Sequence, residues 1–210
     1  MAAARALLID LDGVIRVWNP ADDRCAERIG GLPHGTLTRA AFSPDLLLPA
    51  ITGGMSDARW RERIVERLRS EFPGADAGRA VRAWSEGAGG VDPEVIALVR
   101  SVRRAGRVVL VTNATSRLPE DLRRLGIDGD FDAVVNSASV GVVKPRREIY
   151  ATALASAAVP AGHALFVDDA PGNVVAAREL GMAGHLYLGA VDLAQQLQAF
   201  GLLGEPVDRN

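Results

Sequence analysis

Asp10 and Asp12, two carboxylates one residue apart, are where this sequence promises chemistry. Leu7-Leu8-Ile9-Asp10-Leu11-Asp12-Gly13-Val14 runs from continuous aliphatics into the acidic pair, with a glycine directly after it. An unbroken aliphatic run reads as a strand buried on both faces, as in a parallel sheet. Asp10 and Asp12 then stand at its carboxyl end, where open α/β sheets bind ligands. Two carboxylates held close together repel, and a cation or a shared proton reconciles them. The expected chemistry is metal-assisted, with one aspartate as nucleophile. Taken alone the motif is short, and Asp-Gly is also a common turn pair.

Three further clusters fall at predicted strand ends or in the loops beside them. Val108-Val109-Leu110-Val111 predicts a strand ending at Thr112-Asn113, and Leu165-Phe166-Val167 one ending at Asp168-Asp169. Lys144 sits in Gly141-Val142-Val143-Lys144-Pro145, a loop before a helix. Brought to one sheet edge, these groups supply the hard oxygen ligands that suit Mg²⁺. They also supply a hydroxyl and a fixed cation for a phosphoryl group. Each has a plainer reading: Lys144 as a surface lysine, Thr112 as a strand-end cap, Asp168-Asp169 as the cap of a helix opening at Pro171. Their joint placement favours a site. A cis Lys144-Pro145 bond is expected, because only X-Pro bonds adopt cis at modest cost.

The elements that must position these groups alternate. From Asp92-Pro93 onward, helical spacing (Val95, Ile96, Val99, Val102) gives way to the strand at Val108, then to helices and strands in turn. That alternation predicts an α/β fold with a parallel sheet covered on both faces. Residues 17–90 differ. Asn19-Pro20 and Ser43-Pro44 open helices, and Trp60, Ile64 and Leu68 form one apolar stripe on a charged helix. No strong strand is predicted there, and Glu86-Gly87-Ala88-Gly89-Gly90 reads as a flexible return linker. The expected organisation is a core of residues 1–16 and 91–210, interrupted by a helical insertion of residues 17–90.

Composition narrows the partners. The chain has 210 residues, 48% hydrophobic and 24% charged, with net charge −2, so no basic surplus points to nucleic acid or an acidic membrane. No stretch approaches the ~20 apolar residues of a membrane span. The amino-terminal apolar run is too short for a signal peptide and is broken by Asp10. The single cysteine, Cys25, excludes an internal disulfide and suits a reducing compartment; a cytoplasmic protein, monomer or homodimer, is expected. Cys25 reads as a buried structural thiol. The arginines of residues 59–69 alternate with glutamates, the pattern of a solvated face. Trp60 reads as core. Trp18 and His34, in loop-like stretches of the insertion, are open between lining a substrate pocket and a local structural role.

The ordered set of motifs resembles the haloacid dehalogenase superfamily, in its phosphatase-type branch with a helical cap after the first strand. The matching segments are Asp10-Leu11-Asp12-Gly13-Val14, Val111-Thr112-Asn113, Gly141 to Pro145, and Phe166 to Val174 continuing through Ala176-Ala177-Arg178-Glu179-Leu180-Gly181-Met182. The resemblance implies a Rossmann-like parallel-sheet core with a small all-helical cap domain. It implies Asp10 as nucleophile, forming an aspartyl phosphate, and Asp12 as the acid and base. Thr112 and the Asn113 backbone would hold phosphate oxygens, and Lys144 would neutralise charge. Mg²⁺ would bind Asp10, the Asp12 backbone carbonyl and Asp168, with Asp169 nearby. The substrate would be a small phosphorylated metabolite. One departure is Arg146-Arg147, where the family commonly has Asp-Pro; the pair reads equally as solvated or as attracting anions. A sugar phosphomutase would share the catalytic set, but the insertion shows no sugar-binding group beyond His34. Dehalogenation dispenses with the second aspartate, which is present here. A non-catalytic binding module would be expected to lose Asp10 or Lys144.

Overall fold

The structure, a computed structural model, describes residues 5–204. Among these, the core strands are β1 (Ala6–Ile9), β4 (Arg107–Thr112), β5 (Ala133–Asn136), β6 (Ala164–Asp168) and β7 (Ala183–Leu186). They form one parallel sheet in the order β5-β4-β1-β6-β7, with β1 at its centre. Successive side chains of a strand point to opposite faces, so each strand feeds two cores. Leu7, Ile9, Val108, Leu110 and Val167 pack on one face with α6 (Pro93–Arg103), α7 (Leu118–Leu125) and α11 (Ala190–Ala199). Ala6, Leu8, Val109, Val111 and Phe166 pack on the other with α9 (Arg147–Ala157) and α10 (Pro171–Glu179). A central strand buried on both sides is why its sequence is continuously aliphatic. The short helix α8 (Ser137–Val140) follows β5 directly.

The helix ends carry local capping chemistry. Pro93 opens α6, and the Asp92 carboxylate accepts hydrogen bonds from the Glu94 and Val95 N–H groups, occupying donors that the first turn leaves orphaned. Gly126 closes α7 at φ 68°, a left-handed position that glycine adopts without a Cβ penalty.

Between β1 and α6 lie α1 (Pro20–Gly30), α2 (Thr36–Ala41), α3 (Pro44–Ile51), α4 (Asp57–Glu71) and α5 (Ala77–Glu86). They share a separate apolar cluster that includes Trp60, Ile64 and Leu68, so the predicted stripe is buried. Two expectations fail here. Cys25 is exposed, because α1 turns Ala26, Glu27 and Gly30 inward instead. The return segment is not a free linker: Gly90–Val91 (β3) pairs antiparallel with Arg16–Val17 (β2), and the Asp92 N–H donates to the Ile15 carbonyl at 2.9 Å. Glycine is needed at position 89, with φ 76°, because the backbone passes directly against the Arg16 side chain. No helix among the described residues is long and apolar enough to cross a membrane.

The insertion rests on the core at several places, Arg124 of α7 donating to the Glu86 carbonyl at one of them. The Asp57 N–H donates to Ser116 Oγ at 3.0 Å, and Thr115 Oγ1 donates to Asp57 Oδ1 at 2.8 Å. Gly53, at φ 78°, lies so close to the Ala138 carbonyl that a side chain would overlap it.

Candidate active site

The sheet order brings the predicted residues together. Ile9 is level with Leu110 and Val167, so Asp10, Thr112 and Asp168 emerge as neighbours at one end of the sheet. The Asp10 N–H donates to the Val167 carbonyl at 2.9 Å, extending the pairing by one residue. Asp10, Thr112, Lys144 and Asp168 are all buried.

Lys144, the one lysine of the chain, lies between two carboxylates. Its Nζ is 2.7 Å from Asp10 Oδ1 and 2.7 Å from Asp168 Oδ2. The loop that carries it is clamped by Asn113, whose side chain accepts from the Lys144 N–H at 2.8 Å and donates to the Lys144 carbonyl at 3.1 Å. The Lys144–Pro145 peptide is cis. Asp168 is fixed further by Asn173 Nδ2, which donates to both its oxygens at 3.0 Å, and by the Ala170 N–H at 2.8 Å. Asp168 therefore holds the start of α10 without being its N-cap, which is Ala170.

Asp10 Oδ1 accepts from the Leu11 N–H at 2.7 Å as well as facing Lys144. Burial pushes the Asp10 carboxyl up to about 6 from 3.8, against the pull of the Lys144 charge and with the added push of Asp168. Asp169 is raised too, first by burial and then by the Asp168 charge. One carboxylate oxygen from each of Asp10, Asp168 and Asp169 lies within 4.8 Å of the others. Three hard oxygen donors this close, two of them buried, repel unless a cation joins them; the donor set fits Mg²⁺. Gly13, at φ 77°, leaves the space that the Asp169 carboxylate occupies, and a Cβ there would overlap it.

Asp12 takes a different place. Its carboxylate is outside the group of three. It accepts from Arg16 Nε at 2.7 Å and Arg16 Nη2 at 2.8 Å, and from Trp18 Nε1 at 2.6 Å. The structure does not bring His34 to the site. Its Nδ1 lies 3.1 Å from Glu27 Oε2, and Glu27 accepts from the Gly35 and Leu37 N–H groups at 3.0 Å each, fastening the start of α2. Arg146 and Arg147 are exposed. Cavities of about 380 Å³, between β7, α10 and α11, and about 710 Å³, between α4, α5 and α7, do not include the acidic group.

Sequence reasoning missed Arg16, the Asn113 side chain, Asn173 and the Asp57–Thr115 contact. Asn173 had a local signal, five residues after Asp168 in the first turn of α10. Asn113 and Asp57 had none, since their partners are 31 and 58 residues away.

A parallel α/β sheet with a carboxylate nucleophile candidate, an acidic metal-type cluster and a buried lysine at one edge defines the class. A model of the haloacid dehalogenase-like hydrolase family matches residues 4–181, and the chain belongs to that family. A sesquiterpene phosphatase of Aspergillus oryzae is 27% identical over 185 residues, 86% of this chain and 88% of the relative. A haloacid dehalogenase family enzyme of Bacteroides thetaiotaomicron, solved with magnesium and inorganic phosphate, superposes with TM-score 0.71 at 21% identity, over 88% of this chain and 94% of that one. An L-2-haloacid dehalogenase superposes with TM-score 0.71 at 18% identity, over 94% of this chain and all of the other. Such distant likenesses establish the fold alone, so the reaction must be argued from the site.

Proposed function

We propose that the protein is a Mg²⁺-dependent phosphatase that hydrolyses a small phosphorylated metabolite through an aspartyl phosphate on Asp10. The observation that carries this reading is the placement of Lys144, 2.7 Å from both Asp10 and Asp168, beside the three-carboxylate group. Lys144 and the Leu11 N–H both engage Asp10 Oδ1, which leaves Oδ2 as the oxygen to attack phosphorus. The bond from phosphorus to the leaving oxygen breaks as that oxygen takes a proton from Asp12. Asp12 then takes a proton from water as the water attacks the phosphoenzyme, releasing phosphate and restoring Asp10. Thr112 and the Asn113 N–H hold the phosphoryl oxygens, and Lys144 balances their charge. Asp10, Asp168, Asp169 and the Asp12 carbonyl would hold Mg²⁺, which lets an anionic nucleophile approach an anionic phosphate. Residues 17–90 act as the cap that covers the site and limits water, and residues 1–16 with 91–210 as the catalytic core. The presence of Asp12 favours phosphate over haloacid chemistry, which has no need of a second acid. A cytoplasmic setting accords with the single cysteine.

The test is turnover of an aryl phosphate with and without Mg²⁺, for the wild type and Asp10→Asn. Activity that depends on Mg²⁺ and disappears in Asp10→Asn, with the thermal midpoint retained, supports the reading. Asp10→Asn turnover near wild type would mean that water, not Asp10, attacks phosphorus.

A further inference from the structure

We propose that Trp18 is a positioning residue for Asp12: its indole N–H, with the Arg16 guanidinium, sets where the Asp12 carboxylate stands. The inference deepens the phosphatase reading and rests on the proton-transfer role given there to Asp12. Three donors engage this one carboxylate, Trp18 Nε1 and Arg16 Nε on Oδ1 and Arg16 Nη2 on Oδ2. Together they fix its rotation, which one contact would not do.

The two supports differ in kind. Arg16 belongs to the framework: it is buried, its N–H donates to the Leu11 carbonyl at 2.7 Å, and it sits in β2 paired with β3. Its Nη1 reaches Asp121 Oδ2 on α7 at 3.3 Å, and Asp121 Oδ1 in turn lies 3.1 Å from Arg117 Nε. Arg16 thereby ties Asp12 to the core. Trp18 is 46% exposed and follows β2 directly, where the chain leaves for the helical insertion. So large an aromatic, half in solvent, contributes less by burial than a core tryptophan. Its specific contacts are the 2.6 Å bond to Asp12 and the stacking of the Arg16 guanidinium 4.6 Å from its ring centre. Trp18 is thus the support of Asp12 on the side where the chain enters the insertion, while Arg16 is the support tied to the core.

The contact and its consequence are tested separately. In protein labelled with ¹⁵N-tryptophan, Trp18→Phe identifies the Trp18 indole signal by its loss. Asp12→Asn should then move that signal and leave those of Trp60 and Trp84, which donate to the Ala41 carbonyl and to Asp23. Trp18→Phe keeps a ring over Arg16 and removes one donor. An aryl oxide departs with little protonation and an alkyl oxide does not, so release of the leaving group in the first turnover should slow about tenfold on an alkyl phosphate and by less than about twofold on an aryl phosphate. The water step, which uses Asp12 as base whatever the leaving group, should slow equally for both. KM should not rise, and the thermal midpoint should be unchanged. An indole signal that ignores Asp12→Asn overturns the proposal whether or not Trp18→Phe folds well. Equal slowing of the first-turnover release on both substrates, or a rise in KM alone, overturns it in favour of a substrate-binding or structural role. A wild type that hydrolyses neither phosphate brings down the phosphatase reading and this role with it, and the indole signal distinguishes that failure from absence of the contact.

Discussion

Replacing Lys144 by Met removes the one cation between two buried carboxylates. With Lys144 present, Asp10 and Asp168 each face an ammonium at 2.7 Å. Without it, their oxygens confront each other within 4.8 Å. At an effective dielectric of about 20, that repulsion alone is at least about 3 kcal/mol. Breaking a buried ion pair by deleting one partner costs about 3–5 kcal/mol, so the thermal midpoint of a chain this size should fall by about 6–20 °C. The loss should depend on pH in a set direction. The repulsion is greater at pH 8 than at pH 5. At pH 5 the Asp10 carboxyl, already pushed up to about 6 with Lys144 present, holds a proton and can share it with Asp168. The assay is thermal melting of metal-free wild type and Lys144→Met at pH 5 and pH 8, repeated with Mg²⁺. The variant should lose least at pH 5, and Mg²⁺ should restore part of the loss at pH 8. A variant that melts within about 2 °C of wild type at pH 8, or loses equally at both pH values, would refute the charge argument.

The raised Asp10 carboxyl also sets a pH dependence for the wild type. Its folded value, about 6, lies above its unfolded value of 3.8, so its contribution to stability is complete below the unfolded value and lost as pH rises through about 6. Metal-free melts from pH 4 to 8 should show this fall, and Asp10→Asn should remove it. Mg²⁺ requires the ionised carboxylate, so calorimetric titration should show affinity rising over the same range. Gly13→Ala forces a side chain into the space of the Asp169 carboxylate at a left-handed position; displacing that group should weaken Mg²⁺ binding by about tenfold or more in the same titration, and unchanged affinity would show that Asp169 is not needed.

The strand ends were legible in the sequence because they obey local rules. A central parallel strand must be aliphatic on both faces, so β1, β4 and β6 stand out as unbroken runs, and the polar residues that end each run mark the edge of the sheet. Asp10, Thr112 and Asp168 are located by that reasoning, and Lys144 by its loop. Helix starts at Asp92-Pro93, Asn19-Pro20 and Ser43-Pro44 were legible for the same reason, since a cap acts within one turn. What the tertiary structure decided is which polar groups meet across the chain. The clamp of Asn113 on Lys144, the hold of Asp57 on Thr115 and the tie from Arg16 to Asp121 span 31, 58 and 105 residues. No local spacing encodes such pairs, because side-chain hydrogen bonds depend on how elements pack and not on the periodicity that forms them. Asp12 shows the division within one motif. Its place two residues after Asp10 is a fact of sequence. Its orientation, toward Arg16 and Trp18 and out of the acidic group, exists only once β2 has paired with β3 and set those donors beside it.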